Sequence, residues 1–249
     1  ITLHAVWMPK GIEINVKSTD VWVTNGIHAM GAVKLPYGIT YIGPFAFDAD
    51  SVSSVFVPQI TSLELPASVK EISTDAFPDC ESLKSITLNE GLEFVGPAAF
   101  KGTSITSLRI PGSLKVIRES AFAGMDKLSS VVLSEGVSSL LANSFANCDN
   151  LYSITIPTTL TNIDKDAFYH SGLDCVAYAE GTESIQSFFG LRNRDISTVI
   201  IPSTVKTIGS NVFTGCGKIK FQARMSSDEF TAIEGFPWGA EAGSTVSYI

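Results

Sequence analysis

Charge is scarce in this sequence. Asp, Glu, Lys and Arg make up only 17% of the 249 residues, and the formal net charge is -8. No run of Lys or Arg occurs, which argues against nucleic acid as a partner, because a clustered basic footprint supplies most of that affinity. The same deficit removes any attraction to an anionic membrane surface. No stretch approaches the roughly 18 to 20 continuous apolar residues that span a bilayer, so no membrane insertion is expected. Histidine is limited to His4, His28 and His170, and no nucleophile–base pair can be assembled from those positions. G-x-S-x-G, H-E-x-x-H, the phosphate-binding P-loop and G-x-G-x-x-G are all missing. The carboxylates of Glu71, Glu90, Glu93, Asp164 and Asp166 are scattered over loops without a defensible pairing. Catalysis needs groups that converge in a concavity. The expectation is therefore a protein that is not an enzyme, with no catalytic residue, no cofactor and no metal site.

What the chain does have is apolar residues at 45%, and a period. An apolar residue followed by two more at +3 and +5 recurs from Met30, Ile60, Leu83, Ile105, Leu128, Leu151, Leu173 and Ile196. After the first interval the spacing is 22 or 23 residues throughout. The +3 and +5 pairs run from Val33/Leu35 to Val199/Ile201, an alternation that predicts a short strand with these side chains pointing inward. Position +6 is Pro36, Pro66, Pro111, Pro157 and Pro202 in five coils. Proline lacks an N–H donor, so it ends the ladder there. A second buried column is expected at +12, from Ile42 to Ile208. A third is expected at +17, where Phe47, Phe77, Phe100, Phe122, Phe145, Phe168 and Phe213 stand. The seventh coil departs from it, with Phe188 and Phe189 one or two places early. A single coil cannot bury its own apolar face, so the pattern has meaning only in a stack. Strands of neighbouring coils would lie about 4.8 Å apart, and the Phe column would form a continuous aromatic spine.

The pattern L-x-x-I-x-I-P-x-x-V-x-x-I-x-x-x-A-F-x-x-C is clear in "LYSITIPTTLTNIDKDAF" (151–168) and "ESLKSITLNEGLEFVGPAAF" (81–100). It resembles the BspA-like leucine-rich repeats of bacterial and protozoan surface proteins over residues 30–217. The resemblance implies a right-handed leucine-rich-repeat solenoid of eight coils of 22–23 residues. A parallel β-sheet would form one face, short 3-10 or loop segments the other, and caps the two ends. It also implies a cell-surface or secreted module, expected to be extracellular and monomeric, that binds a protein or glycan ligand as an adhesin. Host extracellular matrix or another cell surface would supply that ligand. The alternative, of a different class, is a passive spacer in a longer surface or phage-tail-like protein.

Residues 1–29 do not fit the repeat. "ITLHAVWMPK" resembles the closing strand of a Listeria–Bacteroides β-repeat, which implies further modules upstream. "GIEINVKSTDVWVTNGI" reads as two strands forming an N-terminal cap, since solenoid ends need a polar outer face. The chain opens on Ile1 rather than Met, so it reads either as a processed chain or as a portion that does not include its leader. Seven extra residues of the first coil, within "FDADSVSSVFVPQI" (47–60), read as a solvated loop. Asp48 and Asp50 fall short of the six to eight oxygens that calcium requires. Residues 218–249 read as a C-terminal cap. Ser226 and Glu229 make a capping-box helix start, Gly235 and Pro237 end the helix, and a strand over 245–249 closes the stack. Phe236 and Trp238 shield the last coil, and the "PWG" string is similar to tails that close related repeat proteins.

Cys80, Cys148 and Cys216 share position +20 in coils two, five and eight, about 14 Å apart in steps of three strand spacings. A disulfide needs Cα atoms within roughly 7 Å, so four free thiols are expected, with Cys175 in a different column and more exposed. The outward strand columns should hold any binding surface. The +2 column is mostly Ser. The +4 column supplies the candidate surface: Lys34, Glu64, Thr87, Arg109, Val132, Thr155 and Ile200. Such residues also make an ordinary solvated sheet. Val132, Ile200 and, in the same column, Ala177 are the best candidate for an apolar contact patch, at one end of the sheet.

Overall fold

The period-two alternation produces one strand per coil, at Met30–Lys34, Gln59–Glu64, Ser85–Thr87, Ser107–Ile110, Ser130–Leu133, Ser153–Ile156, Cys175–Tyr178 and Thr198–Ile201. The structure, a computed structural model, describes residues 9–17, 20–26, 28–48, 59–186 and 196–249. These strands pair in parallel with equivalent positions facing one another, except that Ser85–Thr87 and Ser107–Ile110 share no ladder. Leu108 opposes Val131, then come Ile154, Val176 and Val199. Every +3 and +5 side chain is buried, so the alternation does place one face of the sheet in the core. The +12 column forms two-residue strands, among them Tyr41–Ile42, Glu71–Ile72 and Phe94–Val95. The face expected as 3-10 or loop segments is thus turns together with a second set of parallel strands.

The third wall is made by rings and by backbone. Phe47, Phe77, Phe100, Phe122, Phe145 and Phe168 stack face to face, with centroids 4.7 to 5.8 Å apart. Beside them the amides of Phe47, Phe77, Phe122 and Phe145 each donate to a carbonyl of the following coil, at 2.8 to 2.9 Å. Residues at +19 take the left-handed conformation: Asp79, Gly102, Gly124, Asn147, His170 and Gly215. That backbone turn aims the amides of Asp79, Gly102, Gly124 and Asn147 at the next coil's carbonyl, at 2.8 to 3.1 Å. Glycine, Asn and Asp accept this conformation at least cost.

Four details differ from the sequence expectation. Met30 is 72% exposed, because it pairs with Gln59 and Gly31 with Ile60 before an irregularity restores Val33 to Leu63. The spine does not run on to Phe213 as a stack, since that ring meets Phe221 edge-on at 5.2 Å. Phe188 and Phe189 lie outside the described residues. A ninth rung, Lys220–Ala223, extends the long-strand sheet, with Phe221 opposite Val199. Phe236 is 43% exposed, whereas Trp238 is fully buried among Phe213, Phe221 and Phe230.

At the N-terminal end, Glu13–Lys17 and Asp20–Asn25 form an antiparallel hairpin, and its second strand pairs in parallel with Tyr41–Ile42. At the other end, Ser226 and Glu229 form the capping box of a short helix, Ser227–Thr231. Thr245–Tyr248 then adds a further parallel strand beside Lys220–Ala223.

Candidate functional site

Because +3 and +5 point inward, +2 and +4 must point out, and the register turns them into straight rows. Arg109, Val132, Thr155, Ala177 and Ile200 are successive partners across five strands. Lys34, Glu64 and Thr87 form the equivalent row on the first three. Lys34 and Glu64 make an ion pair of 2.5 Å with both side chains largely exposed. Such a pair contributes about 0–1 kcal/mol to stability. Val132 is 45% exposed, while Ala177 and Ile200 are half-buried. Thr155 separates Val132 from Ala177 in the row, so the apolar patch is a line with one hydroxyl in it.

All four thiols are free, with Cys80, Cys148 and Cys216 buried and Cys175 half-buried. The Cys80 thiol donates to the carbonyl of Phe47 and the Cys148 thiol to that of Phe122, both at 3.3 Å. Burial, with smaller contributions from Asp48 and Asp79, pushes Cys80 up to about 12. Burial lifts Cys148 to about 12 and Cys216 to about 11. A nucleophile or metal ligand must be a thiolate, which these positions suppress. Among the described residues no three His, Cys, Asp or Glu side chains come together to hold a metal, and no helix is long and apolar enough to cross a membrane. The imidazole of His170 contacts Tyr169 at the +19 corner, and His4 and Asp50 lie outside the described residues.

A second surface lies on the two-residue strands. Val21 and Val23 are buried, so Trp22 between them faces outward. The register sets Trp22 beside Tyr41, Tyr41 beside Glu71 and Glu71 beside Phe94. On the other flank of Trp22 the hairpin places the exposed Asn15. A groove of about 700 Å³ opens here, lined by Asp20, Trp22, Thr24, Tyr41, Lys70 and Glu71 among others. The Trp22 and Tyr41 rings are 6.0 Å apart and tilted by 60°. The Tyr41 hydroxyl shares a hydrogen bond of 2.6 Å with Ser73, and the Lys70 ammonium lies 3.3 Å from Glu93.

This groove is absent from the sequence reading. Glu71 appears there only as a scattered carboxylate, and Trp22 only inside the hairpin string. A signal existed in the outward +11 column, which is Tyr41, Glu71, Phe94 and Val116 in the first four coils, then Ser139, Asn162, Ser184 and Thr207. Aromatic side chains on the solvent side of a strand, confined to one end of a stack, are not required by packing.

The family described as BspA type leucine rich repeat region matches residues 55–174 and 128–234, in six copies. No curated protein matches the chain. Among solved structures, the pneumococcal vaccine antigen PcpA is similar at 18% identity and a TM-score of 0.57, over 98% of this chain and 70% of that one. The T. pallidum leucine rich repeat protein TpLRR is similar at 19% identity and a TM-score of 0.50, over 94% of this chain and 97% of that one. At these identities the likeness shows the fold.

Proposed function

Because the chain belongs to the BspA-type leucine-rich-repeat family, we propose that it is a cell-surface or secreted interaction module that binds an extracellular protein, as an adhesin does, through the open face of its long-strand sheet. The observation that carries this reading is the unbroken outward row Arg109–Val132–Thr155–Ala177–Ile200. An apolar line with a charged residue at its end has the anatomy of an interface core beside its polar rim. Strands fix these side chains before a partner arrives, which lowers the ordering cost of association. No part of the reading calls on catalysis or on a cofactor.

The test is binding of the purified chain to matrix proteins and to intact cells, measured by surface plasmon resonance and adhesion counts. Val132→Asp combined with Ile200→Asp should weaken binding at least about tenfold, the equivalent of about 1.4 kcal/mol. Arg109→Glu should act mainly on the association rate and its salt dependence. A clean negative over a broad panel of proteins and cells sinks the proposal and favours a passive spacer.

A further inference from the structure

We propose that the groove on the short-strand sheet, at its N-terminal end, is a binding site for a neutral oligosaccharide. Five outward residues stand in one row, Asn15, Trp22, Tyr41, Glu71 and Phe94, each opposite the next in the ladder. At about 4.8 Å per strand the row spans roughly 19 Å, the reach of a few linked sugar rings.

The chemistry along the row alternates in the way a sugar does. A pyranose presents apolar C–H faces, which stack on aromatic rings, and a rim of hydroxyls, which need hydrogen-bond partners. Trp22 and Tyr41 supply ring surfaces inside the groove, both half-buried and so only partly covered by protein, and the half-buried Phe94 continues the row beyond the groove lining. Asp20 and Glu71 bring carboxylates, Thr24 a hydroxyl and Asn15 an amide, so acceptors dominate. A volume of about 700 Å³ is in the range of small-ligand sites.

Two features argue that the site is set in advance. Ser73 holds the Tyr41 hydroxyl, and the Arg118 guanidinium sits 5.2 Å over the Phe94 ring. Fixed rings cost less to order on binding. The charge selects among ligands. The cation in the groove, Lys70, lies beside Glu93, and the chain carries a net charge of -8. Sialylated or sulfated glycans would meet the Asp20 and Glu71 carboxylates, while Arg118, which sits over Phe94, lies outside the groove lining. A peptide adding as a strand needs a sheet edge, whereas this groove lies on a sheet face. The site is separate from the long-strand row, and its fate does not depend on that row.

The experiment is a glycan array of neutral, sialylated and sulfated oligosaccharides, followed by calorimetric titration of the neutral hits. The expected result is binding of neutral oligosaccharides of three or more units. Trp22→Ala should lower affinity about tenfold or more, Trp22→Phe should restore part of it, and Val132→Asp should leave it unchanged. If Trp22→Ala lowers the melting temperature sharply, Glu71→Gln and Thr24→Ala decide instead, each expected to weaken binding severalfold in a stably folded chain. Three outcomes overturn the proposal: no neutral ligand at millimolar concentration, a preference for anionic glycans, or neutral binding indifferent to these substitutions. Loss of glycan binding in Val132→Asp would also do so, because it would move the ligand to the long-strand face.

Discussion

The buried thiols show how a coil position overrides side-chain chemistry. Cys80 and Cys148 stay protonated in the folded chain up to about 12, against an ordinary value of 9.0. Between those values the unfolded chain gives up protons that the folded chain keeps. Rising pH therefore favours unfolding, by at most about 1.4 kcal/mol per pH unit for each thiol. The stabilisation is fully present below 9 and is lost as pH climbs towards 12. We expect native-state alkylation at pH 8 to label Cys175 alone, and slowly, because burial and Asp174 raise its pKa too. Denaturant midpoints should fall from pH 9 to pH 11, less steeply in Cys148→Ala. Labelling of Cys80 or Cys148 as fast as Cys175 would refute this. The free state and burial of these thiols were legible from the shared +20 position. The left-handed +19 column was not, although its Asp, Gly, Gly, Asn, His and Gly stood in plain view. Its signal is about backbone, not side chains: at Gly102, with φ +71, a Cβ would lie 2.2 Å from the Asp79 carboxylate. His170, which the sequence already excludes from a nucleophile–base pair, sits at +19 with φ 55.

At the scale of the element, the repeat made the inward columns readable because each is an apolar position recurring at a fixed interval. The groove was hidden for the converse reason. Trp22 lies before the first coil, where the ruler has no mark, and its neighbour Tyr41 is known only once the hairpin is seen to join the short-strand sheet. The ring stack gives the sharpest test of the element as a unit. Phe145 is fully buried between Phe122 at 5.3 Å and Phe168 at 5.6 Å. Phe145→Ala should cost about 3–5 kcal/mol in urea unfolding, for lost transfer energy and the cavity left behind. Phe145→Leu should cost less, since it keeps much of the burial and gives up chiefly the ring–ring contacts, which contribute about 0.5–1.5 kcal/mol. An alanine cost below 1 kcal/mol would mean the stack is not what joins the coils.

For the whole molecule, the coil count fell short because the ninth start, 22 residues after Ile196, is Lys218, which breaks the apolar rule. Stacking matters more than counting, since the stability of such an array is close to a sum over coils and their interfaces. One interface differs from its neighbours. Between the third and fourth coils neither sheet carries its ladder: Ser85–Thr87 and Phe94–Val95 end one pair of sheets, and Ser107–Ile110 and Val116–Ile117 begin another. What crosses there is the corner, with Ala98 donating to Ser120 at 2.8 Å and Gly102 to Gly124 at 3.1 Å. Ser113 also donates to Leu92 at 2.7 Å, and the Phe100–Phe122 stack is the widest of the column at 5.8 Å. An array opens first where its coupling is weakest. Hydrogen exchange in sub-denaturing guanidinium should therefore resolve residues 59–95 and 107–178 as two blocks with separate denaturant dependences. Phe77→Ala should strip protection from the first block and leave that of Ser153–Ile156 and Cys175–Tyr178 nearly intact. A single exchange isotherm shared by both blocks would show that the corner bonds and the rings couple the coils as firmly as a ladder does.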